Sequence, residues 1–123
     1  VHALAYPLGG HFHLSHGHSN ALVLVEVLKF NAPKAKQYYA ELMQWLDPRS
    51  TGCIDGLCDL FIDHMQNYLD QSGLTLKLKE LDIVEAKLPQ LAKDAMLQTR
   101  LLQNNPREMT EQDALQIYQA IYA

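Results

Sequence analysis

The stretch HALAYPLGGHFHLSHGHSNALVL, His2 to Leu24, gathers five of the chain's six histidines into seventeen residues and then runs straight into an apolar segment. How it is read decides the fold. On its right-hand side, Ser19 to Phe30 are apolar almost all round, with Ala21, Leu22, Val23, Leu24, Val25, Val27 and Leu28 in near succession. Such a pattern predicts a helix buried on most sides and central to the molecule. To the left, VHALAYPLGG reads as the tail of a helix whose beginning lies upstream, closed by Pro7 and the Gly9-Gly10 pair. Val1 is not a start Met, so the chain is expected to be cut from a longer one.

Further helices follow from this one. After a break at Asn31-Ala32-Pro33, the residues Ala35, Tyr38, Tyr39, Leu42, Met43 and Leu46 keep the i, i+3, i+4, i+7 rule until Asp47-Pro48 ends them. From Cys53, the set Ile54, Leu57, Cys58, Phe61, Ile62, Met65 and Leu69 predicts another helix, with Gly73 as its stop. LTLKLKEL alternates like a strand, yet a lone strand would have no partner. A loop or short turn tucking Leu74, Leu76, Leu78 and Leu81 against the core is therefore expected from Leu74 to Val84. Pro89 opens a short helix through Leu97, and Thr110 with Asp113 makes a near capping box for a last helix ending around Tyr122. The inventory is all-α.

Composition narrows the function. The 123 residues fit one domain, 48% apolar and 20% charged, with a net charge of −4 and a pI near 5.8. The ten Lys and Arg are scattered, with no basic patch to follow a phosphate backbone, so nucleic acid is not an expected partner. No apolar run approaches the roughly 20 residues of a spanning helix, and no signal peptide is visible. Cys53 and Cys58 look like two thiols near one helix rather than a disulfide framework, which makes a reducing cytoplasm the expected setting.

For His11, His13 and His18 the simplest role is that of polar surface residues. His16 differs, because it stands at the entrance of the most buried helix, where an imidazole is expected to be fixed by a ligand or hydrogen bond. His2 lies one or two turns before the Pro-Leu-Gly-Gly break. Two histidines from adjacent helices can converge on one cation, and imidazole suits Zn, Fe, Cu and Ni. Spacing alone leaves that open, since a separation of fourteen residues has no intrinsic metal geometry. Other groups have plainer expectations: Tyr38, Tyr39, Trp45, Tyr68, Tyr118 and Tyr122 in packing, His64 partly exposed, Cys58 as a small buried hydrophobe, and Asp55, Asp59 and Asp63 on a solvated face.

The segment HALAYPLGGHFHLSHGHSNALVLVEVLKFN, His2 to Asn31, resembles the C-terminal part of the iron-containing (group III) alcohol dehydrogenases. The matching pieces are the leading His-Ala, then Pro-Leu-Gly, the His-Gly pair and Ser-Asn-Ala. LTLKLKELDIVEAKLPQLAKDAM looks like the family's later helical segment, and NNPREMTEQDALQIYQAIYA like its Asn-Pro-Arg ending, so the resemblance covers nearly the whole chain. It implies the helical domain of the dehydroquinate synthase-like fold, with His2 and His16 as two metal ligands. Tyr6 stands where many relatives carry a second His near the nicotinamide or substrate, which leaves its role open. Ser15 and Val25 replace two prolines common in relatives.

The same resemblance implies a partner domain that these residues do not contain: a Rossmann-like nucleotide-binding unit bearing the Asp and the remaining His ligand. Gly9-Gly10 is no substitute for its phosphate loop, since no strand precedes it. The implied cofactors are Fe(II), with Zn as the alternative ion, and NAD or NADP. The implied reaction interconverts small alcohols with aldehydes or ketones, and the 123 residues alone are expected to be inactive. Loss of the partner domain would expose apolar surface and favour self-association. A second reading makes the chain a small helical histidine-rich module that chelates or docks without catalysis.

Overall fold

The computed structural model describes residues 1–123, and its organising element is a single helix of 31 residues. This helix, α2 (His16–Leu46), spans about 46 Å at 1.5 Å per residue. Before it comes α1 (His2–Phe12), and after it α3 (Ile54–Gln71), α4 (Leu88–Ala95), α5 (Thr99–Gln103) and α6 (Glu111–Ala120). Two 3₁₀ turns, Leu78–Leu81 and Glu85–Lys87, lie between α3 and α4, and there is no strand. No helix is long and apolar enough to cross a membrane.

Two expected breaks are absent. α1 runs through Pro7 and both glycines, and ends where His13 adopts the left-handed conformation (φ 55°) and returns its N–H to the Gly9 carbonyl. Pro7 removes one hydrogen bond near the start of the helix, and burial of Leu4, Ala5, Pro7 and Leu8 outweighs that loss. Gly9 serves contact rather than termination, since a Cβ there would lie 3.4 Å from the Leu14 carbonyl oxygen. Likewise α2 continues through Asn31-Ala32-Pro33. Pro33 cannot donate to the Lys29 carbonyl, yet buried Asn31 and Ala35 hold the chain on either side of it.

Burial divides into two clusters along α2. The larger joins α1, the first half of α2, α4 and α6, with Leu4, Leu8, Val23, Leu91 and Tyr118 at its centre. Inside it the Tyr118 hydroxyl donates to the Leu4 carbonyl at 2.6 Å, and burial holds that phenol protonated well beyond the usual tyrosine range. The smaller cluster lies between α3 and α2 from Val25 to Met43, where Tyr39 stacks on Phe61 with ring centroids 5.5 Å apart and Met43 is fully enclosed. Cys58 is buried within it, as expected, and burial pushes its thiol pKa up.

The stripe expected on the second half of α2 is half right. Ala35, Tyr39 and Met43 face α3, whereas Tyr38, Leu42, Trp45 and Leu46 face outward, Trp45 being 84% exposed. Tyr68 is exposed as well, so packing accounts for only Tyr39, Tyr118 and the half-buried Tyr122 among the six aromatics. Only one helix covers this part of α2, and one neighbour can bury only one face. Asp55, Asp59 and Asp63 are solvated and His64 is half-buried, as expected.

The segment after α3 shows why LTLKLKEL alternates. Gly73 (φ 78°) ends the helix, and an extended chain reaches Lys77. There Leu78 and Lys79 donate backbone N–H groups to the carbonyls of Ile121 and Tyr122, both at 2.9 Å. Leu78 is fully buried and Leu81 packs on the core, while Leu74 stays exposed, contrary to expectation, because it precedes that anchoring. Ile83, which the pattern did not flag, is buried instead. α4 ends at Ala95, two residues early, and α5 was not foreseen. The capping box is complete: Asp113 N–H donates to Thr110 Oγ1 at 3.2 Å, and Thr110 N–H to the Asp113 carboxylate at 2.9 Å.

Candidate metal centre

The connection from α1 to α2 is only His13, Leu14 and Ser15. Ser15 caps α2 by accepting from the His18 N–H at 3.2 Å, and the left-handed His13 reverses the chain. The short reversal brings the first turn of α1 beside the first turn of α2. His2 and His16 thereby meet, with ring centroids 5.0 Å apart and planes inclined at 50°. Tyr6, one turn beyond His2, completes an exposed triangle: its ring stacks toward His16 at 5.8 Å and meets His2 edge-on at 6.1 Å.

This pair can be tested against an ion. Two imidazoles sharing a tetrahedral metal at about 2.1 Å per nitrogen would have centroids roughly 5 Å apart. The observed spacing fits, and neutral imidazole suits iron and zinc alike. No third His, Cys, Asp or Glu joins them from these residues. Both rings are exposed, so the space between them is open to solvent.

Sequence reasoning did not find the groups around the pair. Asn20, one turn after His16, donates from Nδ2 to His16 Nε2 at 3.2 Å, while its own carbonyl oxygen is buried without a partner. Its spacing of four from His16 on a helix was the available signal. On the other flank of His2 a cavity of about 180 Å³ opens between α1 and the segment around α5, with Leu4, Leu101, Leu102 and Met109 among its walls. No sequence pattern predicts it, because α5 and α1 are about 100 residues apart in the chain.

The remaining histidines disperse. His11 meets the Asp94 carboxylate at 2.5 Å, and this hydrogen bond is the main cause holding the Asp94 pKa below its usual value. His18 Nε2 lies 2.6 Å from the Thr75 carbonyl oxygen, which ties the start of α2 to the loop after α3. His13 forms the turn and His64 packs beside Tyr68 on α3. A histidine-rich tract that chelates as one body is not what the fold builds.

Known proteins similar to this chain share the arrangement of its helices. Residues 1–122 match the family model described as "Fe-containing alcohol dehydrogenase family, C-terminal". Over its whole length the chain is 34% identical to long-chain-alcohol dehydrogenase 1 of Geobacillus thermodenitrificans, covering 31% of that protein. It is 25% identical to the lactaldehyde reductase of Escherichia coli over 96% of its residues, again covering 31% of the relative. Among solved structures, a 1,3-propanediol oxidoreductase superposes on 98% of the chain with a TM-score of 0.91 at 24% identity, the chain covering 32% of it. The chain thus spans about a third of the length of the relatives it matches. With a family match over residues 1–122 and all-helical architecture in agreement, the chain belongs to the Fe-containing alcohol dehydrogenase family, of which it represents the C-terminal helical part.

Proposed function

We propose that this chain is the metal-binding helical domain of an alcohol dehydrogenase, in which His2 and His16 supply two ligands of a divalent ion, Fe(II) in the first instance and Zn(II) as the alternative. The observation that carries this reading is the meeting of the two imidazoles at 5.0 Å, from separate helices, at an open site. An N-terminal nucleotide-binding domain, drawn from the two thirds of the relatives' length that lie outside the match, would supply the other ligands and hold NAD or NADP. When bound, the ion supplies Lewis-acid polarisation of the substrate oxygen, and the nicotinamide exchanges hydride with the carbinol carbon.

The residues of this chain have defined parts in that scheme. The α1–α2 reversal sets the spacing of His2 and His16, so that the donors are in place before a ligand arrives. Tyr6, beside both rings, occupies the approach to them and limits how substrate or nicotinamide can lie. The cavity beside His2, walled by Leu101, Leu102 and Met109, accepts the apolar part of a small alcohol or aldehyde. Cys53 and Cys58 are both free thiols, in keeping with a cytoplasmic setting.

The test compares the full-length protein carrying this domain with its His2→Ala and His16→Ala variants. Metal content by elemental analysis and nicotinamide-linked oxidation of 1-propanol should both collapse in each variant, while helical content is kept. Normal metal content in His16→Ala sinks the assignment.

A further inference from the structure

The C-terminal segment reaches back to α2 at a particular place. Pro33 leaves the Lys29 carbonyl without its helical partner and crowds the preceding turn. At that turn Asn31, one of only two buried polar residues and 5% exposed, forms a reciprocal amide pair with Asn105, both bonds 2.8 Å long. Asn105 Nδ2 also donates to the Arg107 carbonyl at 2.5 Å. Arg107 in turn donates from Nη1 to the Phe30 carbonyl at 2.8 Å, and its guanidinium carbon lies 4.1 Å from the centre of the Phe30 ring. Three hydrogen bonds and a cation–π contact thus converge on two residues of α2, and a fourth bond braces the segment that makes them.

The same segment forms a wall of the cavity beside His2. Asn104, Asn105 and Met109 line it together with Leu101 and Leu102 of α5, opposite His2 and Leu4. α5 is five residues long, and its Leu101 and Leu102 are only half-buried where they rest on the main core, to which Met109 belongs. Asn105 and Arg107 add a polar hold on the proline turn of α2 to that apolar contact.

We propose that Asn105 and Arg107 are positioning residues, which set the width of the cavity beside His2 by clasping its α5 wall to the Phe30-Asn31 turn. Arg107 does not line the cavity and acts through Leu101, Leu102 and Met109, while Asn105 both borders the cavity and holds its wall; the consequence is control over which alcohols fit. The proposal rests on the reading of this cavity as the seat of the alcohol's apolar part.

Arg107→Met keeps the length of the side chain and removes its hydrogen bonds, whereas Arg107→Lys keeps the charge and one donor. In the full-length protein at equal metal content, Arg107→Met is expected to raise the KM for 1-butanol about tenfold and to change kcat less than twofold, the signature of lost ground-state positioning. Arg107→Lys should recover most of that KM. A second readout is independent of catalysis: the methyl resonance of Met109 should move in Arg107→Met while that of Met43, in the other cluster, stays in place. A KM unchanged in Arg107→Met, or a Met109 methyl that does not move, overturns the clasp. Wild-type protein that turns over no alcohol, together with a Met109 methyl that does respond, would instead sink the reading of the site and leave the clasp standing.

Discussion

The two halves of α2 are made of similar material and live in different surroundings. The first half carries Leu22, Val23 and Val27, which face α1, α6 and the rest of the main core, and turns Val25 toward α3. The second carries Tyr38, Tyr39, Leu42, Met43, Trp45 and Leu46 and has α3 alone beside it. Burial follows the number of neighbours rather than hydrophobicity, so Val23 is fully enclosed while Trp45 is open. His2, Tyr6 and His16 are mounted on the half with many neighbours, where their positions are fixed from several directions. The outer end of the α2–α3 hairpin, around Tyr39, Met43 and Phe61, reads as an appendage whose packing can vary without moving the site.

The largest expected effect breaks the site's half. Tyr118→Ala removes a wholly buried ring and the hydrogen bond to Leu4, two residues from both His2 and Tyr6 on α1, and should cost about 3–5 kcal/mol in urea unfolding. The ring-proton signals of His2 and His16 should shift with it. Met43→Ala opens a comparable hole in the hairpin and should cost about 2–4 kcal/mol, with those two histidine signals unmoved. If Met43→Ala shifts them as far as Tyr118→Ala does, the two halves are one cooperative unit and the contrast fails.

A smaller effect lies at the last helix, which belongs to the site's half. Thr110→Ala removes the hydroxyl that caps α6 and should cost about 1 kcal/mol. The Asp113 carboxyl is held below its usual pKa, first by the Thr110 backbone N–H, so its contribution is complete above the unfolded-state value near 3.9 and fades as pH falls through the lower folded value. The stability gap between wild type and Asp113→Asn, measured by denaturant midpoints, should therefore be constant from pH 7 to 5 and close below about pH 4. A gap that persists at pH 2 would assign the effect to something other than the charge.

These experiments also bear on what the sequence made legible. Helices that press one continuous face on a neighbour were readable, because a stripe such as Leu57, Cys58, Phe61 and Ile62 answers to local geometry. So were the caps at Thr110 and Gly73, which depend on residues a few positions away. Illegible were the outcomes decided across the chain. Pro33 looks like a stop until Asn105 and Arg107 arrive at the turn before it, and Tyr38 looks like core until the count of helices leaves it outside. The site followed the same division. His2 and His16 stood out through a family resemblance, while Asn20 and the cavity wall at Leu101 and Leu102 came only with the fold.

The smallest effect concerns how α1 is held at its far end. His11 and Asp94 join the last turn of α1 to α4, with side chains 46% and 24% exposed. Pairs this open contribute about 0–1 kcal/mol and weaken with salt, so Asp94→Asn should lower stability by a few tenths of a kcal/mol at low ionic strength and less in 1 M NaCl. The Asp94 pKa is depressed chiefly by the hydrogen bond with His11, so whatever it contributes is present above the ordinary carboxylate range and is lost as acid protonates it. The informative readout is again the histidine pair. His2 is at the other end of α1, more than two turns from His11, and between them Leu4, Ala5 and Leu8 are buried in the main core. If those contacts fix α1, the His2 and His16 signals will ignore Asp94→Asn even where the denaturant midpoint shifts. Should they move, the position of the His2–His16 pair depends on a surface contact at the far end of the helix, and the core alone does not hold it.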